Sequence, residues 1–155
     1  ISAVVVLLGT AYTFFLIATG FIPALWRLGN GLKRKKIAVF AKGDELASLV
    51  SLLRDTKLFN NGNIVSISVP GDIGRAEGAA TYLVGWPDWE EQDVRRMLAG
   101  KGDRVALVVF APQRTGRVPD QLIEEFESHR NVMLVNFRGR LLNDIIVSMI
   151  TAGHE

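Results

Sequence analysis

The first 26 residues of the chain carry no charged side chain, and Arg27 is the first charge. A helix of that length is about 39 Å long at about 1.5 Å per residue, against a hydrocarbon core of about 30 Å. The segment is therefore expected to span a bilayer with tilt, or to leave a turn among the headgroups. Core helices of soluble domains rarely run past about 18 residues without a charge. A cleaved signal peptide would place its basic residues ahead of a shorter apolar run, whereas here they follow it. The chain begins on Ile rather than Met, which leaves room for an upstream segment, a further membrane helix included.

Arg27, Lys33, Arg34, Lys35 and Lys36 lie directly behind the apolar run. The positive-inside rule puts that flank and all that follows in the cytosol, with the span in the cell inner membrane. The whole chain has 18 Lys and Arg against 16 Asp and Glu, and without those five cations the balance is 13 against 16. The basic character belongs to the flank, so no nucleic-acid partner is expected. With no cysteine there are neither disulfides nor thiolate metal sites. Gly9 and Thr13, and Gly20 and Ala24, place small residues four apart, the spacing that lets membrane helices approach closely. Leu28-Gly29-Asn30-Gly31-Leu32 is expected to break the helix into a short hinge. The organisation expected is a transmembrane helix over 1–27, a basic juxtamembrane hinge over 28–36 and a cytosolic α/β domain over 37–155.

The remainder alternates strand and helix signals. Strands are expected at 36–41, 63–69, 81–86, 104–111 and 131–137, the fourth apolar on both faces. Helices are expected at 44–59 with Asp44 as N-cap, at 87–98, at 119–130 and at 141–151. This alternation argues for a small five-stranded parallel sheet of flavodoxin- or Rossmann-like kind, covered on both sides.

In such folds ligands bind outside the carboxyl ends of the strands. The loops there hold Lys42 and Gly43, then Gly71, Asp72 and Arg75, then Trp86, then Arg114, then Asn136, Arg138 and Arg140. Glycine allows close backbone approach and Arg holds phosphate in a fork, so this rim is expected to take an anionic, nucleotide-like ligand. No phosphate-loop motif is present, and Gly71-Asp72-Ile73-Gly74 misses the dinucleotide spacing. His129 and His154 stand alone in sequence, and neither a metal nor a cofactor is expected. Trp86-Pro87-Asp88-Trp89-Glu90-Glu91 could stack a base, or could cap a helix with one Trp packed on the sheet. Asp144 could pair with Arg138 or Arg140.

In strand–helix order the domain resembles the receiver and TIR (Toll/interleukin receptor) families. Asp44 and Glu45 stand after the first strand, where receivers carry an acidic pair. Asp88 lies beyond Trp86-Pro87, and Arg138 replaces the Lys of the fifth strand. The TIR resemblance implies a catalytic Glu, for which Glu90 or Glu91 is the candidate. A membrane helix joined to such a domain is similar in architecture to bacterial immune effectors of the CARF type, in which a cyclic-oligonucleotide-binding domain gates a membrane oligomer.

These features lead to the expectation of a membrane-anchored sensor or effector in bacterial defence. Its domain would bind an anionic ligand or partner and drive assembly or gating of the helix, in contact with lipid and with further copies of itself. The alternatives are a membrane-tethered hydrolase of an NAD-type nucleotide, with Glu90 or Glu91 as acid, and a structural subunit of a larger membrane complex. Topology is directly testable: a reporter fused after Glu155 should be active only in the cytosol, and a periplasmic signal would overturn the orientation.

Overall fold

The computed structural model describes residues 2–154, so Ile1 and Glu155, the outermost residues of the expected span and domain, lie outside it. The chain divides into two compact units, Ile1–Arg34 and Lys35–Glu155.

From Ser2 the first unit is helical: α1 (Ser2–Leu16), a π turn (Ile17–Phe21) and α2 (Ile22–Arg34) follow without a break. Its 32 residues Ala3–Arg34 are long and apolar enough to cross a membrane, and none of the apolar window is buried, unlike a core helix. The hydroxyls of Thr10, Thr13 and Thr19 donate to the carbonyls of Val6, Gly9 and Phe15 at 2.8, 2.9 and 2.8 Å. Each polar side chain is thereby satisfied within its own helix, as lipid requires. The π turn has a local cause. Pro23 lacks an N–H and its ring crowds the carbonyl four residues back. One turn earlier the ladder widens, and the Ile22 N–H reaches Ile17 O.

The expected hinge is not a break, because α2 runs through Gly29, Asn30 and Gly31 to Arg34. Glycine lowers helix propensity by about 1 kcal/mol but leaves the hydrogen-bond ladder intact. Propagation from a formed helix is favourable, and Lys33 and Arg34 complement the dipole in the last turn.

The second unit contains β1 (Ile37–Phe40), α3 (Gly43–Asp55), β2 (Ile64–Ile67), a 3₁₀ segment (Pro70–Ala76), β3 (Thr81–Gly85), α4 (Glu91–Gly100), β4 (Ala106–Phe110), α5 (Asp120–Ser128), β5 (Val132–Val135) and α6 (Arg138–His154). Every strand pairing is parallel, in the order β2-β1-β3-β4-β5. This is the five-stranded α/β arrangement expected, with the strand order of doubly wound flavodoxin-like sheets. Its three central strands are buried along their whole length, as a sheet covered on both faces demands.

Alternation sorts the core. Ala38, Phe40, Tyr82, Val84, Leu107 and Val109 pack with Val94 and Met97 of α4 and with Leu122 and Phe126 of α5. The intervening positions turn to the other face, where α3 lies on β1 and β2 and α6 lies on β3, β4 and β5. Leu49, Leu53, Leu141, Ile145 and Met149 of those two helices are buried.

Three helix starts differ from expectation: α6 opens at Arg138 rather than at 141, and the other two are at α3 and α4. Lys42, not Asp44, occupies the N-cap position of α3, and Asp44 and Glu45 fall in the first turn, where the dipole favours them. Gly43 begins that helix at φ +53, a left-handed conformation that favours glycine. In place of a helix opening at Pro87, residues 86–90 make a turn closed by the Asp88 N–H on Gly85 O at 3.2 Å, and α4 starts only at Glu91.

Leu107 is fully buried at the centre of the sheet. Leu107→Ala should cost about 2–5 kcal/mol in urea unfolding followed by circular dichroism. Glu124→Ala, on the exposed side of α5, should stay within about 0.5 kcal/mol.

Candidate functional site

Because all the strands are parallel, their carboxyl ends and the following loops meet at one end of the sheet. The strand order reverses between β1 and β3, which marks the switch point where ligands bind in such folds. The residues after these two strands are locked to each other. The Lys42 backbone N–H donates to Asp88 Oδ2 at 2.8 Å. The Lys42 ammonium lies 5.0 Å from the centre of the Trp89 ring, within cation–π range. Trp89 stands edge-on to Phe40 at 5.9 Å and is buried, its indole N–H without a partner among the described residues. A Cβ on Gly85 would lie 3.1 Å from Ala41 Cβ and 3.3 Å from Glu45 Cγ, a tight fit that would require those neighbours to give way slightly.

Glu45 sits at the centre of this cluster. It is half-buried, and its Oε1 is buried with no hydrogen-bond partner among the described residues. Burial pushes its carboxyl above the ordinary value of 4.5, the Arg138 guanidinium opposes that shift, and the Asp88 charge adds to it. Arg138, from the start of α6, also donates to Ser48 O of α3 at 3.1 Å, tying the fifth-strand end to the first helix.

The amino end of α3 is the natural seat for an anion, and here the chain's own Asp88 carboxylate already accepts from it. Lys42 and Gly43 thus do not form an open phosphate cradle. The other expected residues separate. Asp72 and Arg75 pair with each other at 3.3 Å on the 3₁₀ segment. That segment runs down to the opposite end of the sheet, where the Arg75 carbonyl accepts from Lys36 Nζ at 3.0 Å. Gly71 is exposed at its start. Trp86 is buried in the core like Trp89, so neither ring is presented for stacking. Arg114 is exposed in the β4–α5 loop.

Asn136 and Arg140 do come together, with Phe137 and Asp144, around a cleft of about 260 Å³. Asn136 also borders a second cleft of about 250 Å³ with Gln113, Arg117 and Leu134. Arg138 and Arg140 are exposed, and Asp144 forms no ion pair with either among the described residues. Glu90 is exposed at the cap of α4. Glu91 pairs at 3.3 Å with Arg95, whose Nε holds Glu125 at 2.9 Å. Neither carboxylate lines a cleft described here.

Asp88 and Trp89 belong to the stretch 86–91 that the sequence marked as able to stack a base, and Glu45 was noted only for its place after the first strand; their convergence on one another was not expected. The one available signal was acids placed directly after a β1-Gly turn and a β3-Pro turn, since both turns must end at the switch point. Among the described residues no group of three or more His, Asp or Glu is arranged to hold a metal ion. No protein-family model matches the chain, and comparison with curated proteins finds no matching relative.

The raised carboxyl of Glu45 makes stability depend on pH. Between its ordinary value and its raised folded value the native state binds the proton more tightly, so stability falls as pH rises through that window. Glu45→Gln should unfold at a higher temperature than the parent at neutral pH, and the difference should close on acidification below about 4.5. Arg138→Ala, which removes the opposing charge, should steepen the parent's decline. Unfolding midpoints across pH 4–8 check both.

Proposed function

We propose that the chain is a membrane-anchored sensor or effector whose α/β domain engages an anionic ligand or a partner chain and drives assembly or gating of the apolar helix. The observation that carries this is the connection between them. The helix ends at Arg34 and β1 begins at Ile37, so only Lys35 and Lys36 intervene. A long flexible linker would transmit little orientation; two residues leave little slack for a change in the domain to be lost.

The β5–α6 side supports a second copy as the partner. β5 is an edge strand, with an unpaired row of backbone groups. Leu134, Phe137 and Val147 are large apolar residues exposed there, Phe137 to 64%. Arg140 and Asp144 make no ion pair among the described residues but would complement each other across a two-fold axis. The clefts beside them, of about 250 and 260 Å³, fall below the roughly 300–1,000 Å³ of small-molecule sites. They suit a side chain from a neighbour better than a whole nucleotide. The five cations behind the span support a cytosolic domain at the inner membrane, and the architectural similarity to CARF-type immune effectors is the ground for placing the protein in defence.

Crosslinking in membranes should give a defined ladder that Phe137→Asp and Gly20→Leu each weaken. Arg140→Glu should weaken it as well, and adding Asp144→Arg should restore it. Glu90→Gln with Glu91→Gln should leave it unchanged. A ladder absent at every concentration removes the proposal.

A further inference from the structure

A broad groove of the α/β domain, larger than the two clefts beside β5, lies at the end of the sheet away from the switch point. It encloses about 680 Å³, within the size range of small-molecule sites. Its walls come from the segments that precede β1, β3 and β4 and from α4. Lys35, Arg96 and Arg104 line it, against a single carboxylate, Glu77, among the described lining residues. The switch point is balanced by contrast, with Lys42 and Arg138 facing Glu45 and Asp88.

Lys35 Nζ lies 3.6 Å from where a Cβ on Gly153 would stand, against the last turn of α6. Lys36 Nζ donates to the carbonyls of Arg75 and Glu77 at 3.0 and 2.8 Å, fixing the wall that carries Glu77. Arg96 reaches Asp93 only at 3.5 Å, with two thirds of its side chain exposed. Val105 adds apolar surface and Tyr82 a phenol. Burial and the Glu77 charge push that hydroxyl up, so it stays a donor. Cations and a phenol donor suit a phosphate, while the carboxylate suits a hydroxyl beside it.

We infer that this groove binds a phosphorylated polyol, either a soluble ester or the headgroup of a lipid. Lys35 directly follows Arg34, the last residue of the apolar helix, so a lipid headgroup is tested beside the soluble ester. The inference does not rest on self-assembly, and its test reads binding alone.

The full chain is placed in phosphatidylcholine nanodiscs, and thermal unfolding is followed by circular dichroism, since a ligand of the folded state raises the midpoint. One arm titrates glycerol 3-phosphate; the other replaces part of the lipid with phosphatidylglycerol. Lys35→Gln with Arg96→Gln removes two exposed groove cations. Arg27→Gln with Arg34→Gln removes the same charge from the helix flank. The expected result is a raised midpoint in one arm, with affinity about tenfold or more weaker in the groove variant and unchanged in the flank variant. A response to the ester identifies a soluble ligand, and a response to phosphatidylglycerol alone identifies a lipid. No shift in either arm overturns the inference. So does a groove variant that keeps the full shift, or an equal loss in both variants. Arg96→Glu alone, on the exposed side of α4, gives the same reading should the double variant unfold.

Discussion

Parallel pairing is the constraint on which the domain depends. Two parallel strands cannot be joined by a tight turn, so every connection must travel back along the sheet before the next strand begins. Four such crossovers leave both faces covered and deliver every strand-to-helix turn to one end and every return to the other. The two ends therefore acquire separate chemistry. At one end Lys42, Glu45, Asp88, Trp89 and Arg138 converge from α3, the β3–α4 turn and α6. At the other, Lys35, Glu77, Arg96 and Arg104 line a groove that no single stretch of sequence announces.

The fold was legible because burial on both faces leaves its mark residue by residue. The apolar centre of the run Arg104-Val105-Ala106-Leu107-Val108-Val109-Phe110-Ala111 cannot be a half-exposed strand, and Ala106–Phe110 became β4, buried throughout. The candidate site was less legible, because position along a loop does not reveal which end of the sheet the residue reaches. Arg75 follows β2 in sequence, yet the 3₁₀ segment carries it to the far end. Trp86 and Trp89 flank a turn, yet both rings close the core. The glycines at 29 and 31 looked like a hinge because propensity is local, whereas a formed helix propagates through them.

The switch point also shows how a domain can occupy its own anion seat. A carboxylate on the amino end of α3 satisfies a backbone donor that would otherwise need water or a ligand. Its negative charge also adds to the penalty on Glu45, which burial already disfavours as an anion. Arg138 partly compensates, so α3, the β3–α4 turn and α6 are coupled electrostatically as well as by packing. Displacing Asp88 from Lys42 would alter all three at once.

The π turn has a geometric consequence for the helix that precedes the domain. In an uninterrupted α-helix Gly9, Thr13, Gly20 and Ala24 would lie along nearly one line, because eleven residues make close to three full turns at about 3.6 residues per turn. The wide turn at Ile17–Phe21 takes up about one extra residue. Everything beyond it is therefore turned by about 100° relative to that line. Gly9 and Thr13 before the turn and Ala24 after it therefore face different directions, and the small residues do not form one continuous stripe along the helix.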